Sequence, residues 1–171
     1  MEGPDSPQRN DRWDGRALAG RGGGTYPGAL PIRLGRKMST IVAGFVDNPE
    51  GEHALQLAAV EARRRDAKLI VIHSMKGGKR TSTDDVLRYR AALEDVENRL
   101  AAADIDHEVI EYVRGQTPAE DLLAAAEEFD AELIVIGYHK RTPAGKFLLG
   151  SHAHDILMGA ECPVLATIAP E

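Results

Sequence analysis

Five short apolar stretches limit what this chain can fold into. Ile41 to Val46 (IVAGFV), Leu69 to Ile72, Leu133 to Ile136 and Val164 to Ile168 are mostly apolar, and His107 to Val113 alternates. Apolar runs this short suit strands buried on both faces of a parallel sheet. Between them the spacing turns helical. Asn48 and Pro49 cap and start a helix whose Leu55, Ala58, Ala59 and Ala62 share a face, with Arg63 to Arg65 at its C-terminal end. Thr83 followed by Asp84 and Asp85 reads as an N-cap with an acidic first turn. The helix after it carries Val86, Tyr89, Leu93, Val96 and Leu100 on one face. Thr117, Pro118 and Glu120 have capping-box spacing before Leu122, Ala125, Ala126 and Phe129. A last helix carries Ala153, Ile156, Leu157 and Ala160. Five strands alternating with four helices predict an α/β fold, an open five-stranded parallel sheet with helices on both faces and right-handed crossovers.

The stretch from Glu132 to Val164 is where this pattern points to chemistry. The strand Leu133 to Ile136 ends on Gly137, and a cation-rich loop leads to Gly150 and Ser151, which open the last helix. A helix N-terminus fed by a strand tip presents free N–H groups and the positive end of the helix dipole, which favour an anion. Lys140, Arg141 and Lys146 give residues 138–149 a net charge of +3 with no acidic residue. Ser151 is read as the helix N-cap.

From Gly137, two residues lead to position 140, nine more follow, and then come Gly150 and Ser151. That spacing, with KFLLGS before the helix and ECPVLATI near the end, resembles the nucleotide loop of the universal stress protein family. The family pattern is glycine, two residues, glycine, nine residues, glycine, then serine or threonine. The resemblance covers Met38 to Ala169. It implies a Rossmann-like sheet of the adenine nucleotide alpha hydrolase kind with strand order 3-2-1-4-5. In that order the tips of strands one and four form the ligand crevice. It also implies ATP as the bound nucleotide, phosphate contacts from Gly150 and Ser151, close backbone approach to the ligand at Gly137, and Ser74 and the backbone of Ile136 beside the adenine.

Two positions depart from the family pattern. Lys140 stands where the family has its second glycine. There it either meets phosphate as a point charge or occupies a strained turn. At the tip of strand one, where the family carries an aspartate, either Val46 or Asp47 can be aligned; Pro49 as the anchor selects Val46.

Composition removes other classes. A single cysteine, Cys162, excludes an internal disulfide and a multi-cysteine metal site, and a reducing, cytoplasmic setting is expected. No apolar run approaches the ~20 residues of a membrane span. Residues 1–37 carry a net charge of +3, whereas residues 38–171 carry −9, so nucleic acid is not an expected partner. Residues 1–37 are rich in Gly, Pro, Arg and Asp without periodicity and are expected to form a disordered N-terminal extension to a domain over 38–171. His152 and His154 are two apart on a helix, poor geometry for a metal. No nucleophile–base pair is recognisable, and no enzyme is read here.

Three functions remain open. The first is a nucleotide-binding stress-response module acting through conformation or partner binding. The second is a dimeric interaction protein of the same fold that has lost ATP. The third is a weak ATPase. The resemblance implies a homodimer through the C-terminal strand, whose edge is otherwise unpaired.

Overall fold

The computed structural model describes residues 38–75, 83–139 and 150–169. The expected extension over residues 1–37 lies outside the described residues. The elements alternate in the order β1 (Ser39–Gly44), α1 (Pro49–Arg65), β2 (Ala67–Ser74), α2 (Thr83–Ala102), β3 (His107–Tyr112), α3 (Pro118–Glu128), β4 (Leu133–Gly137), α4 (Ser151–Gly159) and β5 (Val164–Thr167). All pairings are parallel and the sheet order is β3-β2-β1-β4-β5. The expected fold class and strand order both hold.

Successive side chains of each strand point to opposite faces, so the apolar runs supply two cores. Ile41, Ala43, Leu69, Val71, Leu133 and Val135 pack with Leu55 and Ala58 of α1 and Leu93 and Val96 of α2. Val42, Ile70, Ile72, Ile134 and Ile136 pack on the other face with Leu122 and Ala125 of α3 and Ala153 and Ile156 of α4. Chain direction at the strand tips therefore matters. After β1 the chain turns to α1 on one face; after β4 it proceeds to α4 on the other. The two strands are neighbours, so a crevice opens at their C-terminal tips.

Several boundaries move, each for a packing reason. β1 ends at Gly44 rather than Val46, because the chain must already turn into α1: the Asn48 N–H donates to the Val46 carbonyl at 2.8 Å. β2 runs longer than Leu69 to Ile72 because it has a partner on each side, from Ser39–Ala67 at one end to Ser74–Tyr112 at the other. β3 and β5 each stop one residue short of the expected Val113 and Ile168. Of the apolar residues of the nine-residue α4, Ala153 and Ile156 are buried and Leu157 is exposed. Ala160 lies just past the helix, as its C-cap.

Helix starts follow the expected chemistry at α1 and α3. The Asn48 side chain accepts from the Gly51 N–H at 2.8 Å with Pro49 in the first turn. Thr117 and Glu120 form a reciprocal capping box. The α1 start is also very tight: a Cβ at Gly51 would lie 2.0 Å from the Val46 carbonyl oxygen. Backbone cannot yield there as a side chain could. Gly51→Ala is therefore expected to destabilise the domain by about 2–3 kcal/mol, the upper range for overpacking. Urea denaturation of the variant against the wild-type chain measures it.

Candidate functional site

The crevice between the tips of β1 and β4 is a cavity of about 220 Å³ lined by Gly44, Phe45, Val46, Ile72, Ser74, Pro118, Leu122, Ile136, Gly137, His152, Ala153 and Ile156. Its walls are mainly aliphatic. Polar groups come from the Ser74 hydroxyl, His152, and the backbone at the strand tips and at the start of α4. Such a hollow suits a flat, largely apolar ring system with a few hydrogen-bonding groups. A larger hollow of about 490 Å³ lies between α3 and α4 near the start of β4, but Glu120, Glu127, Asp130 and Glu161 are in its wall. That charge disfavours a phosphate-bearing ligand.

The expected site residues divide into three groups. Ile136, Gly137 and Ser74 line the crevice. Gly150 and Ser151 start α4, whose first turn forms one wall through His152 and Ala153. Lys140, Arg141 and Lys146 lie outside the described residues. Asp47 is exposed and is not among the lining residues, whereas Val46, just past the end of β1, is.

The two glycines differ in why they are glycines. A Cβ at Gly137 would lie 2.3 Å from the Glu50 carbonyl oxygen, so α1 itself requires a bare backbone there. Gly150 has φ −60° and ψ 152°, ordinary extended values, and among the described residues a Cβ there would meet nothing within 4 Å. No packing or backbone demand of the described chain explains it. Gly150, not Ser151, is the N-cap of α4, and among the described residues no side chain caps the helix. This corrects the reading of Ser151 as N-cap: Ser151 is the first helical residue, one step too late for its hydroxyl to occupy the capping position. The first N–H groups of α4 thus lack the side-chain partner that Asn48 and Thr117 provide for α1 and α3.

Several contacts around the crevice were not legible in the sequence. His139 has no acid in its own loop, but Glu50 of α1 reaches it, with Oε1 2.7 Å from Nδ1. His73, buried at the end of β2, lies with its Nδ1 3.1 Å from the Phe45 carbonyl and its ring against Tyr89. Asp121 of α3 is fully buried, and Ser74 donates to its Oδ2 at 2.6 Å. Asp121 Oδ1 has no partner among the described protein groups. A buried polar atom left unpaired costs about 1–3 kcal/mol. Its place in the first turn of α3 offsets part of this through the helix dipole. Helical spacing does put 121 beside 118, 122 and 125, on the inward stripe, but a charged residue there reads as solvent-facing. Cys162 is half-buried, and that burial pushes its thiol pKa up. Among the described residues no three His, Cys, Asp or Glu side chains gather to hold a metal ion.

A parallel sheet with a ligand-sized crevice at its topological switch point and an open helix N-terminus beside it defines a nucleotide-fold α/β protein. The sequence pattern of the universal stress protein family matches residues 38–167. A universal stress protein of Mycolicibacterium smegmatis is 38% identical over 126 residues, 74% of this chain and 95% of that protein. The structure of a universal stress protein from Archaeoglobus fulgidus superposes with a TM-score of 0.66 at 36% identity, covering 75% of this chain and 97% of that one. A universal stress protein from the same organism in complex with dAMP superposes with a TM-score of 0.61 at 32% identity, covering 75% and 96%. The chain belongs to the universal stress protein family.

The glycine geometry separates fold from ligand. Gly137→Ala is expected to cost about 2 kcal/mol of stability with no nucleotide present, because α1 must move. Gly150→Ala is expected to stay within about 0.5 kcal/mol of wild type. Thermal or urea unfolding of the two variants without ligand checks both.

Proposed function

We propose that residues 38–171 form an adenine-nucleotide-binding module that acts in stress response by changing conformation or partner when nucleotide binds. Gly150 carries this reading. It is a glycine with no structural need among the described residues, placed at the uncapped mouth of α4, where it lets a phosphate approach the backbone N–H groups. The crevice beside it would take the nucleoside, and Lys140, Arg141 and Lys146 of the connecting loop would add positive charge along the phosphate path. The dAMP complex of the Archaeoglobus fulgidus relative supports an adenine nucleotide as the ligand class; ATP is the form proposed for this chain. No helix of the described residues is long and apolar enough to cross a membrane.

Val46 favours a second reading. With Val46 lining the crevice and Asp47 absent from its lining, nucleoside recognition would lack one carboxylate, and a dimeric interaction protein without nucleotide becomes the alternative. Calorimetry decides. The wild-type chain is expected to bind ATP or a related adenine nucleotide with modest affinity that falls with added salt, since the remaining contacts are mainly charge-based. Gly150→Val should abolish binding by obstructing the backbone, and Lys140→Ala should weaken it by about 1–2 kcal/mol. No binding in the wild type, with binding gained in Lys140→Gly, would overturn the nucleotide reading and leave the interaction protein.

The module is proposed to work as a homodimer through β5. That strand pairs only with β4, leaving its other edge without a strand partner among the described residues. Exposed Leu157 and Met158 precede it and exposed Ile168 follows it. An open edge flanked by apolar side chains is stable when a second copy covers it. Sedimentation is expected to give dimer mass, with Leu165→Lys or Ala166→Pro shifting it toward monomer. A wild-type monomer at all concentrations would refute the dimer.

A further inference from the structure

We propose that Ser74 and Asp121 form a fixed-polarity pair that reads the base end of the ligand, accepting a hydrogen bond from an exocyclic amine and disfavouring a carbonyl at the same edge. The inference rests on the nucleotide reading above and names what that crevice selects. A serine hydroxyl has one proton and two lone pairs. The proton of Ser74 is donated to Asp121 Oδ2 at 2.6 Å, so the hydroxyl is left with its lone pairs. Ser74 also lines the crevice, so what it offers a ligand is acceptor capacity.

The pair has little freedom to reverse. Asp121 is fully buried, and its Oδ1 already lacks a partner among the described protein groups. Turning the Ser74 proton into the crevice would leave both carboxylate oxygens without a donor in the interior. Asp121 is thus a positioning residue acting through Ser74. The pair also sits at the far end of the crevice from the anion site. Ser74 ends β2, and β1 lies between it and β4, which feeds α4. Two strand spacings separate the tips by about 10 Å. A nucleotide with phosphate at Gly150 would therefore bring its base, rather than its phosphate, to Ser74, between the aliphatic walls of Ile72, Leu122 and Ile136.

AMP and IMP carry an amine and a carbonyl, respectively, at the same ring position, and calorimetry with both tests the pair. The wild-type chain is expected to bind AMP about tenfold or more tightly than IMP, because a carbonyl facing a committed acceptor leaves both unpaired. Ser74→Ala should bring the two within about threefold. Asp121→Asn, whose amide can donate to Ser74 and free its proton, should also shift the ratio toward IMP. AMP and IMP bound equally by the wild type, or a ratio unmoved in both variants, would overturn this inference and leave the nucleotide reading standing. Discrimination against 2′-deoxy-AMP that Ser74→Ala removes, with the AMP-to-IMP ratio unmoved, would place a sugar hydroxyl at Ser74 and also overturn it. Failure of the wild type to bind any of these nucleotides would defeat the nucleotide reading itself, and this inference with it.

Discussion

The approach of α1 onto the tips of β1 and β4 is the constraint on which the rest of the site depends. Two glycines permit it. A side chain at Gly51 would meet the Val46 carbonyl, and one at Gly137 would meet the Glu50 carbonyl. In both places backbone faces backbone, so neither contact can relax by a rotamer change. With α1 seated, the Val46 carbonyl receives the Asn48 N–H and the turn out of β1 closes on one face of the sheet. The crevice then opens toward the opposite face, bounded by Leu122 of α3 and Ala153 and Ile156 of α4.

That asymmetry divides the work of the helix starts. α1 and α3 close their first turns with their own side chains, through Asn48 and through the Thr117–Glu120 box. α4 opens on Gly150 with no side-chain cap among the described residues. Capping is worth about 1 kcal/mol, and a helix of nine residues has little stability to spare without packing. Ala153 and Ile156, both buried against the α3 face, supply that packing.

Polar groups near the crevice follow the same logic of tertiary support. Glu50, His73 and Asp121 each have a side-chain atom that is buried and unpaired among the described protein groups, and each also makes one firm contact: to His139, to the Phe45 carbonyl and from Ser74. Each contact joins separate elements at the C-terminal edge of the sheet: α1 to the loop after β4, β2 to the end of β1, and β2 to α3. Buried polar groups arranged this way are costly in isolation, and they fix orientation where the apolar core alone would tolerate sliding. The Ser74–Asp121 contact has the most direct consequence, since one of its members faces the crevice.

Sequence by itself determined the class of fold, because periodicity is a local property: period two or unbroken apolarity in the strands, and helical spacing between them, leave few architectures. It also determined the caps of α1 and α3, whose partners lie within three residues of each other, and the glycine spacing that marks the family. Strand order came through the family resemblance and was borne out in the sheet. What only the tertiary structure decided involves residues far apart in the chain. Whether Val46 or Asp47 reaches the crevice depends on how tightly α1 turns. That Gly137 serves α1 while Gly150 serves no described neighbour depends on what packs against each backbone. Nothing in the local pattern singles out Asp121; its role comes from Ser74, forty-seven residues earlier, which donates to it. A one-dimensional pattern carries the period of a helix face but not the identity of what that face meets, and at this site the identity sets the chemistry.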